Sequence, residues 1–271
     1  MQIADMHTHS EYSHDSSCPI EEMRKAQVEK GTNIFAVSDH FDTYAYKDYD
    51  IFTPIQKSFE TVAKINEREE GKTLLLAGIE ISEAFWHPNL YEKIKKLCDY
   101  DVVLGSVHFV RFDKIPVPYS IFDFSSTNKE TRDAFLCAYF DDMEKLIDFT
   151  DMDILTHLTC PIRYITGKFG FAISMEKYQE KIDRILEKII SRNIALEINT
   201  STFSKMGSFM PDEKIAKRYF DLGGRLLTLG SDAHQSENAS GYFNDALQML
   251  KTIGFPNIYY YKKRKAFPLP L

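Results

Sequence analysis

Short apolar runs alternate with longer amphipathic stretches along nearly the whole chain. Strand-like runs occupy residues 3–6, 34–38, 74–79, 102–107, 152–156, 194–198 and 225–229, and an eighth lies at 258–261. Helix-like segments fill the gaps. The clearest spans 175–192, where Met175, Tyr178, Ile182, Ile185, Leu186, Ile189 and Ile190 recur at helical spacing. Another opens at Ser17-Cys18-Pro19, a capping sequence with proline near the first turn, and ends at Gly31. Regular β–α alternation predicts parallel strands joined by crossover helices. Seven or eight such units predict an α/β fold, a (β/α) barrel or a distorted version of one. No composition break marks a linker, so residues 1–271 are expected to form a single domain. Two connections, 109–129 and 199–211, are long for a compact barrel, as loops that cover a site often are.

Composition narrows the class. The 271 residues are 44% apolar and 27% charged, with 12 Gly and 10 Pro. This excludes a disordered chain, a collagen-like fibre and a small disulfide scaffold. A net charge of -7 argues against coating nucleic acid through bulk charge, but leaves room for a local basic pocket. Cys18, Cys98, Cys137 and Cys160 show no CxxC spacing, which disfavours a zinc ribbon and fits a reduced, cytoplasmic chain. The first residues, MQIADMHTHSEYSHDSS, lack the basic and apolar regions of a signal peptide. No segment approaches the ~18 apolar residues of a membrane span.

The eight histidines carry most of the chemical information. His7, His9, His40, His108, His157 and His234 sit at or just past the ends of expected strands. Glu80 ends the third strand, Glu197 lies in the sixth and Asp232 follows the seventh. The contexts read DMHTH, AVSDH, AGIE, GSVH, ILTH, ALEIN and LGSDAH. In a parallel barrel all C-terminal strand ends share one face, which holds the active site. These residues are therefore expected to converge. Imidazoles and carboxylates are ligands for zinc, manganese and iron. So many exceed the needs of one tetrahedral ion and suit two or three, with Glu80 as a bridge. His7 and His9 point to one side of a strand because side chains alternate with period two. A lone strand-end histidine is usually a satisfied polar group, and Asp39 or Asp232 could cap the following helix. Such explanations would have to hold independently at six strand ends.

These motifs resemble the PHP (polymerase and histidinol phosphatase) family of metal-dependent phosphoesterases. The segments that carry the resemblance are His7-Thr8-His9 with Ser13 and Asp15, Ser38-Asp39-His40, Gly78-Ile79-Glu80, Ser106-Val107-His108 and Gly230-Ser231-Asp232-Ala233-His234. They occur in family order over nearly the whole chain. Length and the GSVHFV segment resemble the monofunctional histidinol-phosphate phosphatase branch. The resemblance implies a distorted (β/α)7 TIM-like barrel with three divalent metal ions (Zn, Mn or Fe) at the C-terminal ends of the strands. One ion would take His7, His9, Glu80 and Asp232. A second would share Glu80 and take His108 and His157. A third would take Asp15, His40 and His234. Spacing from His9 favours Asp15, and the adjacent His14 stays an alternative.

The implied reaction is hydrolysis of a small phosphate monoester, L-histidinol phosphate, by a hydroxide that bridges two ions. Asp232 or His234 would protonate the leaving alkoxide. Arg163, after the fifth strand, is the first candidate to bind phosphate through two N–H groups. Arg111, Lys114 and Lys205 are further cations. Glu11 and Asp42 could pair with the substrate ammonium, and Tyr12, Phe41 and Phe122 could stack on its imidazole. The run Lys262-Lys263-Arg264-Lys265 reads as a solvated chain end, His87 as a surface or capping residue, and Cys160 as packing. No nucleic-acid or membrane partner is expected, and oligomeric state is open. A PHP-type phosphoesterase for nucleotides, short DNA ends or phosphotyrosine would share the ligands. A non-catalytic metal-binding protein is a further alternative. A cofactor-dependent dehydrogenase is disfavoured, since no GxGxxG follows the first strand.

Overall fold

The computed structural model describes residues 2–44, 50–68 and 73–271. Seven strands make the main sheet: β1 (Ala4–Thr8), β2 (Ile34–Val37), β4 (Leu74–Ser82), β5 (Val102–Ser106), β8 (Ile154–Leu155), β9 (Ala195–Asn199) and β10 (Leu227–Gly230). They lie side by side in chain order and pair in parallel. A three-residue strand, β3 (His40–Asp42), continues the parallel pairing along β4. The sheet nearly closes on itself. Asp232 N–H donates to the His7 carbonyl at 2.8 Å and His9 N–H to the Ala233 carbonyl at 2.9 Å, joining the ends of β10 and β1. This is the distorted seven-stranded barrel. Most strand residues are buried on both faces, which explains why the sequence shows apolar runs rather than strict alternation.

The helices are α1 (Ile20–Glu29), α2 (Thr53–Arg68), α3 (Pro88–Ile94), α4 (Lys129–Phe149), α5 (Cys160–Ile165), α6 (Gln179–Ser191), α7 (Phe203–Met206), α8 (Glu213–Asp221) and α9 (Phe243–Ile253). Asn128 caps α4 by accepting from Thr131 N–H at 2.8 Å, and Asp212 caps α8 by accepting from Ile215 N–H at 3.0 Å. Helix α6 buries Ile182, Ile185, Leu186 and Ile189, the face expected from sequence; the preceding turn, Met175–Tyr178, is 3₁₀. Its polar edge meets α4 through Lys181–Asp141, Arg184–Glu144 at 2.8 Å and Lys188–Asp148 at 2.5 Å. No helix among the described residues is long and apolar enough to cross a membrane.

Two expectations need correction. The apolar run at 258–261 is not a barrel strand. It belongs to β11 (Asn257–Lys262), which pairs antiparallel with β12 (Lys265–Pro270). Lys263 and Arg264 form the turn with φ of 50° and 60°, the geometry that matches a twisted hairpin. The basic run is therefore not a loose chain end. Arg264 N–H donates to the Asp101 carbonyl at 2.8 Å and its guanidinium pairs with the buried Asp153 carboxylate. Asp101 and Asp153 precede β5 and β8, so the hairpin is tied to the N-terminal end of the barrel, opposite the histidines. The long connection at 109–129 also has structure of its own. It holds a hairpin of β6 (Phe109–Phe112) and β7 (Ile115–Pro118).

Candidate metal centre

Each strand-end ligand candidate is aimed by its own β-strand terminus. On β1, period-two alternation sends His7 and His9 to the same side, with their Nε2 atoms 3.1 Å apart. The end of β4 places Glu80 at the middle of the cluster. Its Oε1 lies 2.9 Å from His157 Nε2 and 3.3 Å from His108 Nε2. Its Oε2 lies 2.8 Å from His40 Nδ1, 3.5 Å from His7 Nε2 and 3.7 Å from His9 Nε2. The two oxygens thus serve two different sets of imidazoles, as a bridging carboxylate must. Asp232 Oδ1 closes on His9 Nε2 at 3.2 Å and His7 Nε2 at 3.7 Å. Asp15 spans two rings, with Oδ2 3.1 Å from His234 Nε2 and Oδ1 3.5 Å from His40 Nε2. The neighbouring His14 lines the edge of the same site: its side chain is 65% exposed, its Nδ1 is 3.8 Å from Asp42 and its ring lies 5.2 Å from that of His40.

Electrostatics explain how so many ionisable groups share one buried place. Burial opposes the charged form of Glu80, but His7, His108 and His40 outweigh it and hold the carboxyl well below the usual range. Burial likewise opposes charge on His7, yet Glu197, Glu80 and Asp232 raise its pKa. His9 goes the other way, because burial and the rings of His234 and His40 both disfavour its protonation. Its stacked partners His40 and His234 each lie 4.1 Å away, centroid to centroid.

The donor set fits divalent cations. Ligand atoms of His7, His9 and Asp232 lie within 4.8 Å of one another, as do those of His40, Glu80 and His108, of His7, Glu80 and His157, and of His9, His40 and His234. The buried His40 Nδ1 and Glu80 Oε2 have no hydrogen-bond partner, although they are 2.8 Å apart. Unpaired buried polar atoms are costly, and a cation between convergent lone pairs removes that cost. The backbone is strained at the same place. His157, Asp232 and Glu83 have φ of 24°, 51° and 41°, the kind of outlier that collects at functional sites.

The cluster opens into a cavity of about 730 Å³. Arg163, in the last turn of α5, and Lys205, in α7, both line it. Arg163 is half-buried with its guanidinium 5.8 Å from the Tyr164 ring. Among the described residues no carboxylate lies within ion-pair distance of it. Cys160 also lines the cavity, but burial pushes its thiol up to about 11, so it stays protonated and packs.

Other expected substrate contacts are not brought there. Glu11 accepts from Ile20 N–H at 2.8 Å and anchors the start of α1. Arg111 stacks on Trp86 at 4.6 Å, and Lys114 forms the exposed turn of the β6–β7 hairpin. Tyr12 bonds to Thr61 at 3.0 Å, Phe41 is fully buried, and Phe122 stacks on Phe135 at 5.1 Å. Asp42 does line the cavity, but its Oδ1 accepts from Ser82 Oγ at 2.6 Å and contacts His108 Nδ1 at 2.9 Å. It lies at the edge of the histidine cluster. His87 takes the N-cap position of α3 without a side-chain cap bond. The cavity lining that sequence reasoning missed includes Tyr119, Tyr164, Ser204, Glu237 and Tyr242, carried by the connections and short helices that follow the strands.

Comparison with known proteins agrees with the fold and the cluster. Residues 5–201 match the model of the PHP domain. A probable histidinol-phosphatase of Clostridium acetobutylicum is 30% identical over 266 residues, covering 96% of this chain and 98% of that one. A histidinol-phosphatase of Lactococcus lactis is 25% identical, covering 94% and 93%. The fold is shared with a crystal structure of histidinol phosphate phosphatase from Lactococcus lactis, complexed with zinc, L-histidinol and phosphate. The TM-score is 0.79 at 22% identity, over 98% of this chain and 99% of that one. With the strand-end histidines gathered around Glu80 and the family model spanning β1 to the end of β9, the chain belongs to the PHP domain family.

Proposed function

We propose that the protein hydrolyses L-histidinol phosphate to L-histidinol and phosphate, using divalent metal ions held by the histidine cluster. The observation that carries the reading is one cavity with two complementary parts. A cluster built for cations forms its floor, and Arg163, with no carboxylate partner among the described residues, stands at its wall. A half-buried guanidinium held open in this way suits a dianionic phosphate. The names of the full-length relatives supply the alcohol.

Three ions would occupy the cluster. The first would be held by His7, His9, Asp232 and Glu80, the second by Glu80, His108 and His157, and the third by Asp15, His40 and His234. Zinc, manganese and iron all accept such ligands. Ions bound there supply positive charge to phosphoryl oxygens and lower the pKa of water. The protein's own groups do the rest. Arg163 donates two N–H bonds to phosphoryl oxygens and fixes the phosphorus for in-line attack. The attacking water forms the new O–P bond as the bond from phosphorus to the leaving oxygen breaks. The closest approaches of Asp232 to His7, His9 and His234 all run through Oδ1, so Oδ2 is the atom to take the water's proton and return it to the leaving alkoxide. His234 is the less suited donor, because its Nδ1 contacts the Asp232 carbonyl at 2.9 Å and its Nε2 faces Asp15. Glu237, exposed at the cavity mouth, pairs with the substrate ammonium. Lys205 adds positive charge at the same mouth.

The test is phosphate release by purified protein of known metal content. L-histidinol phosphate is compared with a nucleotide panel, a phosphotyrosine peptide and an aryl phosphate. A kcat/KM for histidinol phosphate at least ~100-fold above the others, or about 2.7 kcal/mol of transition-state discrimination, is expected. Equal turnover of all substrates refutes the histidinol assignment. Metal-loaded protein inert to every ester refutes the enzyme.

A further inference from the structure

Glu197 stands at the middle of the five-residue β9 and is 1% exposed. It is not needed to hold the sheet. The ladder already joins β9 to β8 at Ala195 and Leu196 and to β10 from Leu196 to Asn199. Its side chain serves two other residues, both in the histidine cluster. Oε1 contacts His7 Nδ1 at 2.6 Å. Oε2 accepts from the His157 main-chain N–H at 2.7 Å, and Asn199 Nδ2 donates to the same oxygen at 3.2 Å.

Those contacts have a chemical consequence. A carboxylate only accepts, so His7 must carry its proton on Nδ1. In the neutral ring that binds a cation Nε2 then keeps its lone pair, and Nε2 is the atom that faces His9, Glu80 and Asp232. The other oxygen holds His157, whose backbone has a φ of 24° that an L-residue rarely adopts. His7 and His157 approach the two different oxygens of Glu80, and Glu197 reaches both. The space is reserved. A Cβ on Gly230 would collide with Glu197 Oε1 and come within 2.8 Å of His7 Cβ, so β10 has glycine where the carboxylate must sit.

We infer that Glu197 is a positioning residue for the metal centre, setting the tautomer of His7 and the backbone of His157 so that both imidazoles present lone pairs to the ions that share Glu80. The inference rests on the metal-binding reading above. Outer carboxylates of this kind tune affinity by roughly 10–100-fold.

Two measurements test it. In zinc-loaded, ¹⁵N-labelled wild-type protein, long-range ¹H–¹⁵N correlation of the histidine rings should show His7 protonated on Nδ1 and unprotonated on Nε2. Zinc affinity is then measured by competition with a chromophoric chelator. Glu197→Gln keeps the shape, but its amide either turns a donor toward the His157 N–H or loses the His7 bond. It should weaken one class of zinc site by about 10–100-fold. Asp153→Asn, a buried carboxylate at the opposite end of the barrel, should lower thermal stability and leave zinc affinity unchanged. Zinc binding within twofold of wild type in folded Glu197→Gln overturns the inference, as does a His7 proton on Nε2. Should Glu197→Gln not fold, the wild-type ring protonation decides alone. Wild-type protein that takes up no zinc overturns the metal-binding reading itself, a different result from unaltered affinity in the variant.

Discussion

Removal of the Arg163 guanidinium is the sharpest test of the phosphate site, because its structural cost is small. The side chain stacks near Tyr164 and lines the cavity, and among the described residues no carboxylate lies within ion-pair distance of it. Arg163→Ala therefore leaves no orphaned buried anion, and thermal stability should stay near that of wild type. The functional cost is large. Two charge-assisted bonds to a phosphoryl group contribute about 1.5–3 kcal/mol each, so their loss amounts to about 3–6 kcal/mol. That is roughly a 10²–10⁴-fold fall in kcat/KM. Arg163→Lys retains the charge but not the fork and should recover only part of the loss. The assay is steady-state phosphate release from L-histidinol phosphate and from an aryl phosphate, at fixed metal loading. Both substrates share the phosphoryl group, so both should lose rate by a similar factor. A fall of less than ~3-fold in Arg163→Ala, below the ~1.5 kcal/mol of even one such bond, refutes the role. A loss confined to histidinol phosphate would place the guanidinium on the alcohol instead.

Three further outcomes are expected. His9→Ala should lose metal, measured by elemental analysis, and at least ~100-fold in turnover, the scale of a lost transition-state charge contact; its far-ultraviolet circular dichroism should be unchanged. Glu237→Gln should raise KM for histidinol phosphate about 2–5-fold, the worth of an exposed ion pair, without altering aryl phosphate hydrolysis; an equal effect on both substrates would remove Glu237 from the ammonium. Arg264→Ala should cost about 1–3 kcal/mol in urea unfolding by leaving Asp153 buried and unpaired, with kcat unchanged. Burial already raises the Asp153 pKa and Arg264 lowers it, so the variant's folded-state pKa lies further above the unfolded value. Its deficit should shrink as pH falls through the raised value and grow as pH rises toward neutrality, and a pH-independent deficit would count against Asp153 as its source.

The sequence was most legible where the backbone alone decides. A side chain at the C-terminal end of a parallel strand has one place to go, so His7, His9, His40, Glu80, His108, His157, Asp232 and His234 converge as their positions predict. Asp15 joins His40 and His234 for a similar reason, three residues or fewer beyond a turn that Ser13 anchors to Asp39 at 2.7 Å. Legibility failed where position depends on a distant partner. Strand β3 is too short to show a period, and β6–β7 is masked by Pro116 and Pro118. The run at 258–261 looks like a barrel strand, but its partner is set by a turn of Lys263 and Arg264, without the glycine or asparagine that usually marks such a turn. Nearness in sequence did not distinguish Glu11 from Asp42. Both follow ligand motifs, yet Glu11 holds the start of a helix while Asp42 lines the cavity and meets His108, 66 residues away. Glu197 is the instructive intermediate. Its strand position marked it as a carboxylate of the site, but alternation cannot distinguish a ligand from a group behind a ligand. That distinction is carried by the 2.6 Å contact to His7 Nδ1 rather than Nε2. The nitrogen facing away from the cluster takes the carboxylate, the nitrogen facing inward is left for metal, and Glu197 therefore acts on the ions only through the two residues it holds.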